Sequence, residues 1–171
     1  MESSRFDTLN EAVSYAEAHR YRQRAVCYVT RGVDEVLALK HVPQPGVTDK
    51  FLPGIQVPAG GVEVSETPAQ TAIREVFEET GLDELGSPIH LGSSLLSGHN
   101  WTGLNEVWHY FQLLAPLNID DAWRHAATGM EDNNEMLFEV WFTSLAEPDI
   151  TNDYGSHEYL PELIQLLQES R

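Results

Sequence analysis

Residues 60–82 of the chain read GGVEVSETPAQTAIREVFEETGL, and this stretch decides the fold that the sequence predicts. Thr67 is a favourable N-cap residue, and Pro68 suits the first helical position because it lacks an N–H group. Gly81 is suited to the left-handed conformation that ends many helices. The sequence therefore predicts a helix over residues 68–80.

Two arcs of side chains run along this predicted helix, at about 100° per residue. One arc is predicted to pack against the rest of the protein and comprises Ala69, Ala72, Ile73, Val76, Phe77 and Thr80. The other arc is acidic, with Glu75, Glu78 and Glu79 at positions i, i+3 and i+4. Like charges at these spacings repel each other by about 0.2–0.5 kcal/mol per pair. The acidic arc is therefore either a solvated surface or a site that a divalent cation neutralises.

The segment that leads into the helix favours the cation site. Residues 55–58 are predicted to form a short strand, and the small residues 59–61 allow a sharp turn and a close backbone approach. Glu63 and Glu66 then place carboxylates near the start of the helix. Together these features predict a pocket for metal-bound phosphate, with the oxygen ligands that Mg²⁺ prefers.

The spacing of this stretch resembles the signature of the Nudix hydrolases, G-x5-E-x7-R-E-U-x-E-E-x-G-U, in which U is aliphatic. Every specified position matches, and the matching residues are Gly60, Glu66, Arg74, Glu75, Val76, Glu78, Glu79, Gly81 and Leu82. The resemblance implies an α/β/α sandwich with a mixed sheet. This chain is predicted to add an N-terminal helix over residues 8–20 and a C-terminal helix over residues 158–169.

The resemblance also implies roles for the signature residues. Mg²⁺, which Mn²⁺ can replace, is expected to be held by Glu75, Glu78, Glu79 and the carbonyl oxygen of Gly60. Glu78 and Glu79 are catalytic candidates for the same reason. Arg74 is expected to orient the glutamates, since it stands four residues before Glu78.

Two residues are weaker candidates for contacts with substrate. Glu66 lies in the acidic loop, and Trp101 lies in a loop of polar and flexible residues over 97–103. An aromatic side chain in such a loop is able to stack on a nucleobase. Trp108 and Trp141 lie within apolar strands and are predicted to be core residues instead.

The general base is not defined by the signature. Relatives use either a signature glutamate or an acid from a later loop, and residues 129–135, GMEDNNE, offer such acids. Glu131 and Glu135 are the first candidates and Asp132 is the third, because the longer side chain reaches farther. The alternative is that this segment is an ordinary solvated hairpin turn.

The reaction that the resemblance implies is hydrolysis of a phosphoanhydride bond in a nucleoside diphosphate linked to another group. Three alternatives stay open: a non-catalytic nucleotide sensor, a nucleoside triphosphate pyrophosphatase and an allylic-diphosphate isomerase. The isomerase is disfavoured because its cysteine would have to be Cys27, which lies in a strand predicted to be buried. Residues 97–99 carry neither the proline nor the tyrosine that marks some substrate-selective relatives, so the substrate is not predicted.

Composition limits the other possibilities. A chain of 171 residues suits one domain over 1–171. The formal charge of −17, from 27 acidic and 10 basic residues, disfavours a nucleic acid polymer and leaves a small nucleotide as the expected partner, with a homodimer open. Cys27 is the only cysteine, which excludes an intramolecular disulfide. Without a membrane-length apolar run or a signal-peptide pattern, the sequence predicts a cytoplasmic protein with no membrane partner.

Overall fold

The computed structural model describes residues 2–43, 54–98, 103–128, 136–151 and 155–170. The helices are α1 (Leu9–His19), α2 (Pro68–Thr80) and α3 (Leu160–Glu169). The strands are β1 (Glu2–Phe6), β2 (Arg22–Arg31), β3 (Glu35–His41), β4 (Ala59–Gly61), β5 (Ile89–Ser97), β6 (Glu106–Leu114), β7 (Ala122–Ala126) and β8 (Leu137–Ser144). No helix within these ranges is long and apolar enough to cross a membrane.

All eight strands belong to one mixed sheet with the order β1-β5-β6-β2-β3-β8-β7, and β4 pairs with the first half of β2. The central pair, β2 and β6, is parallel, and the other pairs are antiparallel. Helices cover both faces, so the predicted α/β sandwich with added N-terminal and C-terminal helices is confirmed.

The central strand β2 divides the core into two layers, because its side chains alternate between the faces of the sheet. Ala25, Cys27 and Val29 pack with α2, whereas Val26 and Tyr28 pack with α3. Cys27 is fully buried, as its apolar surroundings in the sequence predict. Helix α1 packs on the same face as α2, against Val107 of β6.

Several local predictions were wrong. Residues 55–58 form only a single bridge, between Gln56 and Leu39, and the true strand in this region is β4. The sequence also missed β1 and β7, which are the two edge strands of the sheet. Trp141 is only partly buried, although it does pack against the core, while Trp108 is buried as predicted.

The buried face of α2 also differs from the prediction. Ala72, Val76 and Thr80 are buried, but Ile73 and Phe77 are each 46% exposed. The helix is rotated so that Thr71 and Glu75 turn towards the sheet instead. This rotation directs part of the acidic arc onto β4, where Arg74 and the N–H of Ala59 bond to the carboxylates.

Candidate active site

Helix α2 begins and ends where local sequence chemistry favours it. Thr67 Oγ1 accepts a hydrogen bond from the N–H of Gln70, and the Gln70 side chain accepts one from the N–H of Thr67. Pro68 occupies the first turn, and Gly81 adopts the left-handed conformation at φ 78°. Such caps satisfy N–H and C=O groups that a helix leaves unpaired at its ends.

Arg74 lies at the centre of the acidic cluster. Its guanidinium binds Glu66 through two hydrogen bonds of 2.8 and 3.0 Å, and it also pairs with Glu75 at 2.8 Å and Glu78 at 3.0 Å. It donates a further bond of 2.9 Å to the carbonyl oxygen of Gly61. Arg74 therefore ties the acidic loop, two glutamates of α2 and strand β4 together, and its orienting role in catalysis stays a prediction.

Glu66 is held in place by this cluster. Thr71 Oγ1 donates a 2.8 Å hydrogen bond to the Glu66 carboxylate, which also accepts bonds from Arg74 and from the N–H of Glu63. The bonds from Arg74 lower the pKa of Glu66, so the carboxylate is ionised at neutral pH. A direct contact of Glu66 with substrate stays a prediction, since this geometry supports a role in positioning Arg74.

Gly60 and Glu75 approach each other more closely than any side chain at position 60 would allow. A Cβ atom at Gly60 would lie 1.8 Å from Cδ and Oε1 of Glu75, which is well inside van der Waals contact. Glu75 is buried between β4 and Arg74. The signature glycine is thus required by the space that the Glu75 carboxylate occupies.

We expect Gly60→Ala to displace this carboxylate and to lower activity by about 10²-fold or more, because a misplacement of about 1 Å has effects of that size. The added methyl group should cost about 1–3 kcal/mol of stability, as overpacking does. Gly61→Ala is the matched control, since its Cβ would have Arg22 Nη2 as the nearest neighbour, at 4.0 Å. Enzyme assays measure the activity of both variants, and urea denaturation measures their stability. Equal activity in the two variants would contradict the requirement for glycine at position 60.

Glu79 is the most strongly perturbed acid of the site. Burial raises its pKa to about 8, and the charge of Glu75 adds to this effect, while the N–H of Ala59 donates a 3.0 Å hydrogen bond that opposes it. Burial also raises the pKa of Glu75, against the attraction of Arg74. Two neighbouring carboxylates therefore carry more negative charge than their surroundings compensate.

The raised pKa of Glu79 predicts a pH dependence of stability in the metal-free protein. A carboxyl group with a higher pKa in the folded state stabilises the fold below its unfolded pKa of 4.5, and this stabilisation is lost as the pH rises through about 8. We expect wild type to lose about 1–3 kcal/mol relative to Glu79→Gln between pH 5 and 9, after allowance for solvent screening. Urea denaturation in EDTA at several pH values measures this difference. The same dependence of unfolding free energy on pH in the two proteins would contradict it.

The donor set of the cluster fits a hard divalent cation. Glu75, Glu78, Glu79 and the Gly60 carbonyl offer oxygen atoms only, which is the chemistry that Mg²⁺ prefers. Within the described ranges, no three acidic, histidine or cysteine side chains already converge as a complete cage for a metal ion. Two of these carboxylates, those of Glu75 and Glu78, are engaged by Arg74. Binding of a cation would redirect these carboxylates, so their roles as ligands stay predictions.

The predicted residues separate into two groups. The structure brings Gly60, Glu66 and Arg74 together with the three glutamates of α2. Trp101, Glu131, Asp132 and Glu135 lie outside the described residues. The hairpin that leads into residues 129–135 is nevertheless anchored at the site, because the N–H of Thr128 and Nε2 of His125 each donate to the carbonyl oxygen of Glu78, at 3.1 Å.

Three contributors to the site were missed by the sequence analysis. Thr71 holds Glu66, the Ala59 N–H holds Glu79, and Arg24 of β2 donates a 3.0 Å hydrogen bond to the carbonyl oxygen of Ala59. No local pattern marks Ala59 or Arg24, because their contacts depend on the pairing of β4 with β2. Thr71 was detectable, since it stands on the same side of the helix as Glu75.

Comparisons with known proteins agree with this geometry. Residues 20–162 match the family model described as NUDIX domain. Over 66 residues the chain is 36% identical to diphosphoinositol polyphosphate phosphohydrolase 3-beta from Bos taurus, a match that covers 39% of this chain and 36% of the bovine protein. The chain thus matches only about a third of the length of that relative.

Solved structures share the fold at low identity. A UDP-X diphosphatase aligns with a TM-score of 0.59 and 14% identity over 96% of this chain and 73% of its own. A mutT/nudix family protein from Listeria innocua aligns with a TM-score of 0.58 and 16% identity, over 87% of this chain and 95% of its own. A MutT protein from Methanosarcina mazei Go1 aligns with a TM-score of 0.54 and 15% identity, over 88% of this chain and 94% of its own. With a complete signature, the expected architecture and a family match over most of its length, this chain belongs to the Nudix hydrolase family.

Proposed function

We propose that the protein is a Mg²⁺-dependent pyrophosphohydrolase that cleaves a phosphoanhydride bond in a nucleoside diphosphate linked to another group. The observation that carries this proposal is the acidic cluster around Arg74, in which Glu75 lies against the Gly60 backbone, Glu79 accepts a bond from the Ala59 N–H and burial raises the pKa of both carboxyl groups. Such crowding is unfavourable in a purely structural helix face and is useful where a cation binds.

Glu75, Glu78, Glu79 and the Gly60 carbonyl would hold the cation, which supplies Lewis acidity towards the phosphoryl oxygens. Arg74 orients two of these glutamates and links them to the acidic loop through Glu66. Strand β4 contributes through its backbone, since the Ala59 N–H binds Glu79. The protein thus provides a rigid frame for a water molecule and a diphosphate, which is what phosphoryl transfer chiefly requires.

Two of the similar proteins support the same reaction class. One is a phosphohydrolase and another a diphosphatase, so both act on phosphorus-containing compounds. A nucleoside triphosphate pyrophosphatase is the alternative activity within that class. The sensor alternative is disfavoured because the signature carboxylates are all present.

Turnover of a substrate panel with Mg²⁺ or Mn²⁺ tests the proposal. The panel comprises ADP-ribose, a UDP-sugar, NADH, coenzyme A, dinucleoside polyphosphates, nucleoside triphosphates and a diphosphoinositol polyphosphate. We expect at least one compound to be cleaved at a phosphoanhydride bond, with ¹⁸O from labelled water appearing in a phosphate product. Tight nucleotide binding without turnover of any compound would identify a sensor instead.

We further propose that residues 1–171 act as one domain in the cytoplasm on a small nucleotide-type substrate. The formal charge of −17 supports the small substrate, since it repels a polyanionic polymer over most of the surface. Sedimentation at micromolar concentration distinguishes a monomer from a homodimer.

A further inference from the structure

The end of helix α2 is bound by strand β7 and the residues that follow it. A helix leaves its last carbonyl groups without partners of its own. In α2, the carbonyl oxygen of Glu78 accepts bonds from Nε2 of His125 and from the N–H of Thr128, both at 3.1 Å. The carbonyl oxygen of Thr80 accepts a 2.8 Å bond from Nε1 of Trp123. This last turn carries two of the three glutamates of the acidic arc, so β7 is attached directly to the candidate active site.

The two side chains that make these bonds lie on one face of β7. Trp123 and His125 stand at alternate positions and are partly buried, whereas the other residues of the strand are exposed. Trp123 also packs against the core layer that includes Val76 of α2. Strand β7 is an edge strand that pairs with β8. Its inward face is therefore occupied by the end of α2.

The partner of His125 defines the tautomer of its ring. A carbonyl oxygen only accepts hydrogen bonds, so Nε2 of His125 carries the proton in this contact. The same oxygen has two lone pairs, and the N–H of Thr128 donates to it as well. The contact thus requires a donor at the position of Nε2. Glutamine keeps an N–H at the end of its side chain, whereas leucine has none.

Gly81 provides the space in which the imidazole ring lies. A Cβ atom at Gly81 would lie 2.9 Å from Nδ1 and 3.0 Å from Cε1 of His125, which is inside van der Waals contact. The N–H of Gly81 bonds to the carbonyl oxygen of Phe77 at 2.8 Å and closes the helix. The ring of His125 therefore packs against the backbone at which α2 ends.

The last turn of α2 is held from two sides. On one side, the Ala59 N–H of β4 donates to the carboxylate of Glu79, and Arg74 pairs with the carboxylate of Glu78. On the other side, β7 binds the backbone of the same turn. A cation would compete with the first set of partners for the carboxylate oxygens. The bonds to the backbone carbonyl groups involve other atoms, so they are able to hold the turn in place while a cation binds.

We propose that His125, supported by Trp123, is a positioning residue for the cation site. It acts through the backbone of Glu78 and thereby sets the placement of the Glu78 and Glu79 carboxylates. Residues that hold metal ligands in place commonly change metal affinity or activity by about 10–100-fold when they are replaced. The inference rests on the proposed function, since the two glutamates are its proposed ligands.

Calorimetry of the metal-free protein with Mn²⁺ measures this effect. We expect the dissociation constant to rise about 10-fold in His125→Leu, which removes the donor, and to stay within about threefold in His125→Gln. Trp123→Phe keeps an aromatic ring but loses the bond to Thr80, and it should raise the constant by about threefold. The matched control is His19→Leu, because Nδ1 of His19 bonds to the carbonyl oxygen of Tyr15 at 2.8 Å in α1. That variant should bind Mn²⁺ as wild type does.

Hydrogen exchange in EDTA measures the same positioning without any metal ion. We expect the amide of Gly81 to exchange about 10-fold faster in His125→Leu than in wild type, because the last turn opens more often. His125→Gln and His19→Leu should keep the wild-type rate. The amide of Thr71, which bonds to the carbonyl oxygen of Thr67 in the first turn, should be unchanged in all variants.

Kinetics with the best substrate of the panel distinguish positioning from general destabilisation. We expect kcat to fall about 10-fold in His125→Leu, with KM within about twofold of wild type, and to recover in His125→Gln. A purely structural role would instead lower the melting temperature of His125→Leu and leave its Mn²⁺ affinity and kcat per folded molecule unchanged. If His125→Leu does not fold, His125→Asn takes its place, because the amide of the shorter side chain ends before the position of Nε2.

Failure of this inference is distinguishable from failure of the proposed function. If wild type binds Mn²⁺ and hydrolyses a member of the panel, but His125→Leu and His125→Gln match it in Mn²⁺ affinity and kcat, His125 is not a positioning residue. If wild type binds no Mn²⁺ and hydrolyses no compound, the proposed function fails and the inference fails with it. Faster exchange at Gly81 in His125→Leu would then show only that β7 anchors the end of the helix.

Discussion

Replacing Glu78 or Glu79 by glutamine is expected to lower kcat/KM for the best substrate by about 10³-fold or more, because each change removes a carboxylate from the proposed cation site. Binding of Mg²⁺ or Mn²⁺, measured by calorimetry, should weaken severely in both variants. The effect should exceed that of any change outside the cluster, since activity and metal affinity depend on the same oxygen atoms.

The two substitutions should differ in their effect on the fold. Glu79 is held by the Ala59 N–H and carries a raised pKa, so Glu79→Gln should increase the stability of the metal-free protein at pH 8. Glu78 pairs with Arg74 at 3.0 Å, so Glu78→Gln should give no such gain. Glu84→Gln, on an exposed residue beyond the helix, is the control for loss of one charge. Unchanged metal binding and turnover in both site variants would show that the acidic arc is not the cation site.

A loss of about 10²–10⁴-fold in kcat, with little change in substrate affinity, is expected when the general base is replaced by its amide. The candidates are Glu131 and Glu135, followed by Asp132. The structure supports testing this segment because the hairpin of β7 and β8 closes at the bond from the Ala127 N–H to the Met136 carbonyl oxygen, at 2.7 Å. The neighbouring Thr128 is bonded to the Glu78 backbone at 3.1 Å.

Steady-state kinetics of Glu131→Gln, Asp132→Asn and Glu135→Gln identify the residue concerned. Asn134→Ala, in the same segment, controls for a general disturbance of the loop. If all three acid variants keep a kcat near that of wild type, the base is a signature glutamate. In that case the pH profile of kcat should instead respond to Glu79→Gln or Glu78→Gln.

Local chemistry explains why so much of the fold was predictable. The ends of α2 depend on Thr67, Pro68 and Gly81, and each of these acts within a few residues of its own position. The apolar strand that was predicted to contain Trp108 is β6, because an apolar run of that length has few alternatives to a buried strand. The signature spacing likewise places Arg74 one helical turn before Glu78, where the structure finds their ion pair.

Pairing between distant segments explains most of the errors. The short strands β1 and β7 are polar or alternate in polarity, and they exist because β5 and β8 offer them free edges. Strand β4 lies at residues 59–61, and not at 55–58, where it pairs with β2 and where Gly60 allows close packing against Glu75.

The sequence by itself determined the family, the bounds of α2 and the presence of three carboxylates on one side of that helix, since these depend on residue types at short spacings. Tertiary structure alone decided how α2 is rotated. Ile73 and Phe77 are half exposed, whereas Thr71 and Glu75 are buried, where they bond to Glu66 and Arg74. Tertiary structure also decided that Arg24 bonds to the carbonyl oxygen of Ala59, in the same strand that holds Glu75 and Glu79. The reason is physical: a periodic pattern specifies which residues share a face, whereas only contacts between distant segments specify what that face meets.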